Sequence, residues 1–311
     1  IADGHICPSA IQKMATRLQI AKPDIVKALS QGPAILRPSD LAKLFAQNRS
    51  FWRLALNTTL REFSNFMVGK SELRQITITF PQQVVSGYTW GEVPLLETLL
   101  GLVKDSYYSH YTAVRIHGLT EQLPKTVYLS REKHRGESSR REASPLYPQE
   151  KIDEAFQRPP RMSSNQVELQ EEGVRVMLLE TAYHEGLGVS SGEVNFGGER
   201  PLRLRYTNLE RTMIDIVVRP FYAGGVFEVA KAFENAKEQL SVNAMRAMLK
   251  QLRLGYPYHQ AIGYYLERAG YRASQVELFR REPMERDFYL THGMGRTTYN
   301  SRWRLHVPEG F

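Results

Sequence analysis

The side chains best suited to chemistry gather in SHYTAVRIHGLTEQLPKTVYLS, Ser109–Ser130, where two histidines, an arginine and a glutamate surround a glycine. His110 and His117 stand seven residues apart, which puts them on one face if Ser109–His117 is helical. Two such imidazoles could begin a metal site, but no third ligand and no carboxylate at fixed spacing accompanies them. Side chains that satisfy buried backbone groups are the better reading. A second set, Glu210, Arg211, Asp215 and Arg219, falls in NLERTMIDIVVRP. There Arg211, Asp215 and Arg219 recur at four-residue steps as an ion-pair ladder, worth only tenths of a kcal/mol per exposed pair. GLGVSSGEVNFGG is glycine-rich but fits neither a P-loop nor a dinucleotide fingerprint, and reads as turn punctuation between strands. HExxH, paired CxxC and DxD-type spacings are missing. No enzyme, catalytic residue, metal or cofactor is expected.

A third set suits binding rather than turnover. The formal charge of +8 is uneven: residues 1–81 hold eleven Lys and Arg against five Asp and Glu, a surplus of six. Concentrated positive charge suits a polyanion, since each cation near a phosphate displaces condensed counterions. The candidate DNA contacts are Thr58, Arg61, Glu62 and Asn65 on the outward face of a predicted helix, Arg53 just before it, and Lys70 and Arg74 on a following wing. A further basic run, SREKHRGESSRREASPLYPQE, reads as an exposed loop at about 131–148. Its Lys133, Arg135, Arg140 and Arg141 are possible nucleic-acid or partner contacts.

These side chains need elements to aim them. Ile11, Met14, Ala15 and Leu18, then Ile25, Val26 and Leu29 after AKPD, predict two short helices. They form a rival helix-turn-helix over 8–31, with Lys22, Lys27 and Gln31 outward. In LRPSDLAKLFAQN, Ser39 is the expected N-cap and Leu41, Leu44 and Phe45 form a stripe. After RSFWRLAL, Asn57 or Thr58 caps a helix carrying Leu60, Phe63 and Met67 inward, closed at Gly69. LRQITITFP then alternates Leu73, Gln75, Thr77 and Thr79 against Arg74, Ile76, Ile78 and Phe80 as a half-buried strand. Helix, turn, helix and strand over 38–80 is the order of a winged helix-turn-helix. Beyond it come a helix over Leu95–Val103, the Ser109–His117 helix, a strand at TVYLS, a strand-rich stretch of VRVMLLE, the Gly-punctuated GLGVSSGEVNFGGE and PLRLRY, a helix capped by Asn208, helical pattern from Gly225 to about Arg272, and a terminal strand pair. The expected fold class is α+β: a winged-helix head at 1–85 and a larger mixed body at 86–311.

One cysteine, Cys7, precludes an internal disulfide and suits a reducing cytoplasm. No apolar run approaches the roughly 18–20 residues that span a bilayer. Ile1–Ala10 lacks a basic head followed by an apolar stretch, so no secretory leader and no membrane partner are expected.

Several blocks together carry a resemblance: SHYTAVRIHGLTEQLPKTVYLS (109–130), QEKIDEAFQRPPRMSS (149–164), TNLERTMIDIVVRPFYAGG (207–225), LGYPYHQAIGYYLERAG (254–270) and DFYLTHGM with YNSRWRLHVPEGF (287–311). In this order they resemble the AbiEi family, the antitoxin and transcriptional-regulator components of bacterial abortive-infection, type IV toxin–antitoxin systems. The resemblance runs from roughly Trp90 to the end, and ILRPSDL, FWRL and LRQITITFP look like a divergent form of the family's winged-helix head. It implies autoregulation through double-stranded operator DNA, and an α+β body that counters a nucleotidyltransferase-like toxin without a stable complex. The competing expectation is a non-catalytic subunit of a phage-defence locus that acts through a protein partner.

Overall fold

The computed structural model describes residues 16–133 and 146–311, and within them the chain is a mixed α+β protein. It divides into two compact units, the first containing 16–78 and 85–102, the second 79–84 and 103–311. The first unit thus runs past the expected limit at 85, because a second hairpin strand and another helix belong to it.

The first element, α1 (Arg17–Ser30), is one helix capped by Thr16. The sequence pattern suggests two helices because Pro23 lies inside it, where proline removes a hydrogen bond and costs ~3 kcal/mol. Ala21, Ile25 and Leu29 nevertheless form an unbroken buried stripe. Full burial of two such side chains contributes about 3–6 kcal/mol, enough to carry the helix through the proline. The rival helix-turn-helix over 8–31 therefore has no turn within 16–31. Next come β1 (Ile35–Leu36) and α2 (Pro38–Asn48), whose N-cap is Arg37 rather than Ser39. Proline at the first helical position and the Asp40 carboxylate reaching back to the Arg37 N–H at 3.1 Å set that earlier start.

After α3 (Leu60–Lys70), β2 (Leu73–Phe80) and β3 (Gln83–Trp90) are joined through Pro81 and Gln82. The sheet order is β1-β3-β2, with Ile35 opposite Thr89 and Leu36 opposite Tyr88 in an antiparallel pair. In β2 the expected alternation begins only at Ile76, since Leu73 is buried while Arg74 and Gln75 are both exposed. The unit ends with α4 (Leu95–Leu102). Ala21, Ile25, Leu29, Leu36, Leu41, Phe45, Trp52, Leu54, Phe63, Met67 and Leu73 make its core.

The second unit is built on a six-stranded sheet whose chain order begins with β4 (Ser106–Tyr108), followed by α5 (His110–Ile116) and β5 (Thr126–Glu132). Gly118, in the left-handed region at φ 68°, lets the chain leave α5, and Tyr111, Val114 and Leu119 are buried, as expected. Because β5 runs to Glu132, the basic stretch does not start as a loop at 131. Then follow α6 (Gln149–Gln157), β6 (Gln166–Leu169), β7 (Val174–Thr181), β8 (Val189–Val194) and β9 (Leu202–Thr207). The order β6-β7-β5-β4-β9-β8 combines parallel pairs, β5 with β7 and β4 with β9, with antiparallel ones.

A helical layer follows: α7 (Leu209–Val218), α8 (Val226–Asn235), α9 (Val242–Leu252), α10 (Tyr258–Arg268) and α11 (Ala273–Arg280). The chain closes with β10 (Phe288–Tyr289), β11 (Thr297–Asn300) and β12 (Leu305–Pro308), three strands where a pair was expected, with β12 central. Gln260, wholly buried on α10, holds them by donating to the carbonyls of Trp303 at 2.7 Å and Arg286 at 3.0 Å.

Candidate nucleic-acid interface

Where α3 begins is a matter of capping. The Thr59 hydroxyl accepts from the Glu62 N–H at 3.2 Å, and the Glu62 carboxylate accepts from the Thr59 N–H at 2.8 Å. This reciprocal box satisfies two donors that the first helical turn leaves without partners. The backbone and side-chain hydrogen bonds from Thr59 hold the Glu62 carboxyl below its usual range. Asn57 and Thr58, the expected caps, lie two and one residues too early, and Glu62 is committed to the cap rather than to a ligand. Its signal, Thr-x-x-Glu ahead of an apolar run, stands in the sequence as TLRE.

The inner face of α3 is fixed by rings. Phe63, fully buried, stacks on Trp52 at 5.6 Å and 12° and meets Phe45 at 5.0 Å. The connection between α2 and α3 is longer than a tight turn, and Arg49 braces it. Its guanidinium donates to the carbonyls of Ala55, at 2.7 Å, and Leu56, and lies 5.5 Å from the Phe45 ring. Arg53, in the left-handed region at φ 50°, stands in that braced connection with its side chain exposed. Thr58 is half-buried there, its N–H donating to the Ala55 carbonyl.

The outer face of α3 presents Arg61 and Asn65 one turn apart, both exposed, with Gly69 a turn further on. Lys70 is exposed at the C-terminal end of α3, not on the hairpin as expected. Arg53, Arg61 and Lys70 form no ion pair with any of the described residues. Arg74 does lie on β2, but its guanidinium meets Glu92 at 3.1 Å in an exposed pair. Thus α3 places Arg61 and Asn65 on one face and Lys70 at its C-terminal end, the connection holds Arg53 and Thr58, and Arg74 belongs to the hairpin.

The second unit contains Lys133, exposed just past β5, with its N–H on the Thr181 carbonyl. Arg135, Arg140 and Arg141 lie outside the described residues.

His110 is buried, and its Nδ1 shares a hydrogen bond with the Ser109 hydroxyl at 2.8 Å rather than with backbone. Burial lowers its pKa to about 4, so the ring is neutral at physiological pH. His117 does tie backbone, its Nε2 lying 2.8 Å from the Thr207 carbonyl. Burial, the larger effect, also moves its pKa downward. Among the described residues no group of three or more His, Cys, Asp or Glu side chains could hold a metal ion. The ladder along α7 is half of what the spacing suggests. Arg211 and Asp215 pair at 2.7 Å with only 5% and 13% of their side chains exposed, while Arg219 lies 5.9 Å from the Tyr222 ring and forms no carboxylate pair.

The fold is therefore that of an α+β protein whose largest sheet is mixed and whose first unit joins three helices to a three-stranded sheet before its closing helix. Among solved structures, the chain is similar to the RV2827C protein from Mycobacterium tuberculosis, with a TM-score of 0.56 over 94% of this chain and 93% of that one. At 11% identity the likeness is one of fold. No protein-family model and no curated protein matches. Among the described residues no helix is long and apolar enough to cross a membrane.

Proposed function

We propose that the chain is the antitoxin and transcriptional autoregulator of a bacterial abortive-infection, type IV toxin–antitoxin pair, acting in the cytoplasm without catalysis. In this reading the first unit is a winged helix-turn-helix: α2 and α3 form the helix pair, α3 is the recognition helix, and the β2–β3 hairpin is the wing. The observation that carries it is the outer face of α3, where unpaired Arg61 and Asn65 stand at one-turn spacing with unpaired Arg53 before the helix and Lys70 at its end. Arginine and asparagine are the side chains that read guanine and adenine edges with two hydrogen bonds each. Arg53, Thr58, Lys70 and Arg74 would set register on phosphates, which position a protein without specifying sequence. The second unit would then counter a nucleotidyltransferase-like toxin, without a stable complex between the two.

The test is a gel-shift titration of the chain's own upstream DNA at physiological salt. The parent retards that fragment in preference to unrelated DNA, and an Arg61→Ala, Arg74→Ala double variant does not. Equal retardation by both proteins removes α3 and the hairpin from the interface. No DNA binding, together with stable co-purification with the product of the neighbouring gene, moves the assignment to a partner-binding defence subunit.

A further inference from the structure

The second unit has a cleft of about 560 Å³ that the DNA reading does not use. It is lined from α6 and the residues just after it, the turn between α7 and α8, and the start of α10. Four cations face it, Lys151, Arg158, Arg161 and Arg219, and one carboxylate, Glu154. That carboxylate is shared, at 2.7 Å from Arg158 and 3.8 Å from Lys151. Arg161 makes no hydrogen bond or ion pair with any described residue. Arg219 is half-buried and meets only the face of Tyr222, Asp215 being taken by Arg211. A partly desolvated guanidinium in a concave site with no carboxylate of its own is set for an external anion, and its planar fork suits phosphate.

The remaining wall is aromatic. Tyr147, 45% exposed, tilts against Tyr256 at 4.9 Å. Tyr147 can dock there because residue 255 is glycine, since a Cβ would lie 2.6 Å from its ring. Behind Tyr256, the Phe156 ring stacks on His292 at 4.1 Å and 10°, so the wall is backed by fixed rings. Tyr258 also lines the cleft, is only 7% exposed, and its hydroxyl makes no hydrogen bond with any described residue. A buried tyrosine hydroxyl ordinarily finds a partner, and burial pushes its ionisation upward, so it remains a donor at neutral pH.

We propose that this cleft binds a nucleotide, its base against the Tyr147–Tyr256 wall and its phosphates on Arg161 and Arg219, with Tyr258 donating to the ligand. The volume lies within the few hundred to roughly 1,000 Å³ of small-molecule sites. An inorganic polyanion would leave the aromatic wall without a role, and an uncharged aromatic compound would leave the arginines without one.

Calorimetric titration of the full chain with ATP, GTP, AMP and inorganic triphosphate tests this. A nucleotide binds saturably and about tenfold or more tighter than inorganic triphosphate, and an Arg161→Gln, Arg219→Gln double variant weakens it by about tenfold or more. Arg161→Gln alone, on an exposed side chain, gives a smaller loss with unchanged thermal unfolding, which keeps the test valid should the double variant unfold. Arg61→Ala, in the other unit, leaves nucleotide binding intact and so separates this site from the DNA reading. The proposal is overturned by any of four results: no saturable heat at millimolar nucleotide, equal affinity for inorganic triphosphate, undiminished binding by both arginine variants, or a short single-stranded oligonucleotide that binds these arginines more tightly than any nucleotide.

Discussion

Helices α3 and α7 are built alike and used differently. Each begins with a side-chain cap, Thr59 or Asn208, and each carries an arginine in its first turn. On α3 that arginine, Arg61, is exposed and unpaired. On α7 it is Arg211, buried, bonded to Asp215 at 2.7 Å and to the Leu187 carbonyl at 2.7 Å. The difference lies in what surrounds them. A helix with one apolar stripe keeps its charges in water, where a polyanion can exchange for solvent. A helix covered on most sides can retain a charge only by satisfying it internally. The charge of Arg61 on α3 is therefore available to a ligand, and that of Arg211 on α7 is structural.

The widest test of that contrast is to remove the inner partner. Asp215→Asn keeps the shape but leaves Arg211 buried without its counter-charge, and should cost about 3–5 kcal/mol in urea unfolding. A loss under about 1 kcal/mol would mean that Arg211 reaches water and that the two helices are not so different.

Next in size is the acid dependence of α5, which packs on the same region. His110 titrates near 4 in the fold against an ordinary 6.5, because burial disfavours the imidazolium. Asp215 opposes that shift, while Arg219 and Arg211 reinforce it. With the folded pKa depressed, the unfolded chain takes up the proton first. The contribution of neutral His110 is thus fully present above about pH 6.5 and is lost as pH falls toward 4, amounting to about 3 kcal/mol. Chemical unfolding of the parent and of His110→Asn across that range should show a steeper decline for the parent. Parallel curves would mean that the ring is protonated in the folded chain.

The same surroundings explain which parts of the protein could be read from its residues. The stripes of α2 and α3 were legible, because Leu41, Phe45, Phe63 and Met67 recur at helical spacing and all are buried. So were α5, β5 and the Asn208 cap, whose signals are local. The pattern of α1 breaks in two at Pro23, a strong local breaker overruled by burial that only the packed unit supplies. β1 and β3 carry no local signal for a different reason. Ile35–Leu36 is too short for a period, and QVVSGYTW carries Gly87 and Ser86 in mid-strand. The loss of Lys70 from the hairpin follows from one further helical residue, and boundaries are where local signals are weakest. The cleft could not be read at all: Lys151, Arg161, Arg219 and Tyr256 are spread over more than a hundred residues and share no spacing.

A smaller effect belongs to α3. Arg61→Ala removes an exposed side chain, so stability should move by no more than about 0.5 kcal/mol. If Arg61 reads a base, the same change should cost about 1–3 kcal/mol of operator affinity and relax preference at one base pair. Asn65→Ala should do likewise at a neighbouring position. Binding measured on a panel of single-base-pair operator variants decides it. A uniform loss across the panel would demote Arg61 to a phosphate contact.

The smallest expected effect concerns Arg74, which stands between the two cases. It is exposed like Arg61 yet paired like Arg211, with Glu92 at 3.1 Å. An exposed pair contributes about 0–1 kcal/mol, so Glu92→Gln should leave thermal unfolding nearly unchanged. Its consequence for DNA would be larger at low salt than at high, because Glu92 competes with phosphate for the Arg74 guanidinium and screening weakens both contacts. Freed of that carboxylate, Arg74 should raise operator affinity by a few fold in dilute buffer and steepen the salt dependence by no more than about one counterion. Arg74→Ala should shift the slope the other way. If neither substitution alters the slope, the hairpin does not touch the duplex, and the interface is confined to α3 and the connection before it.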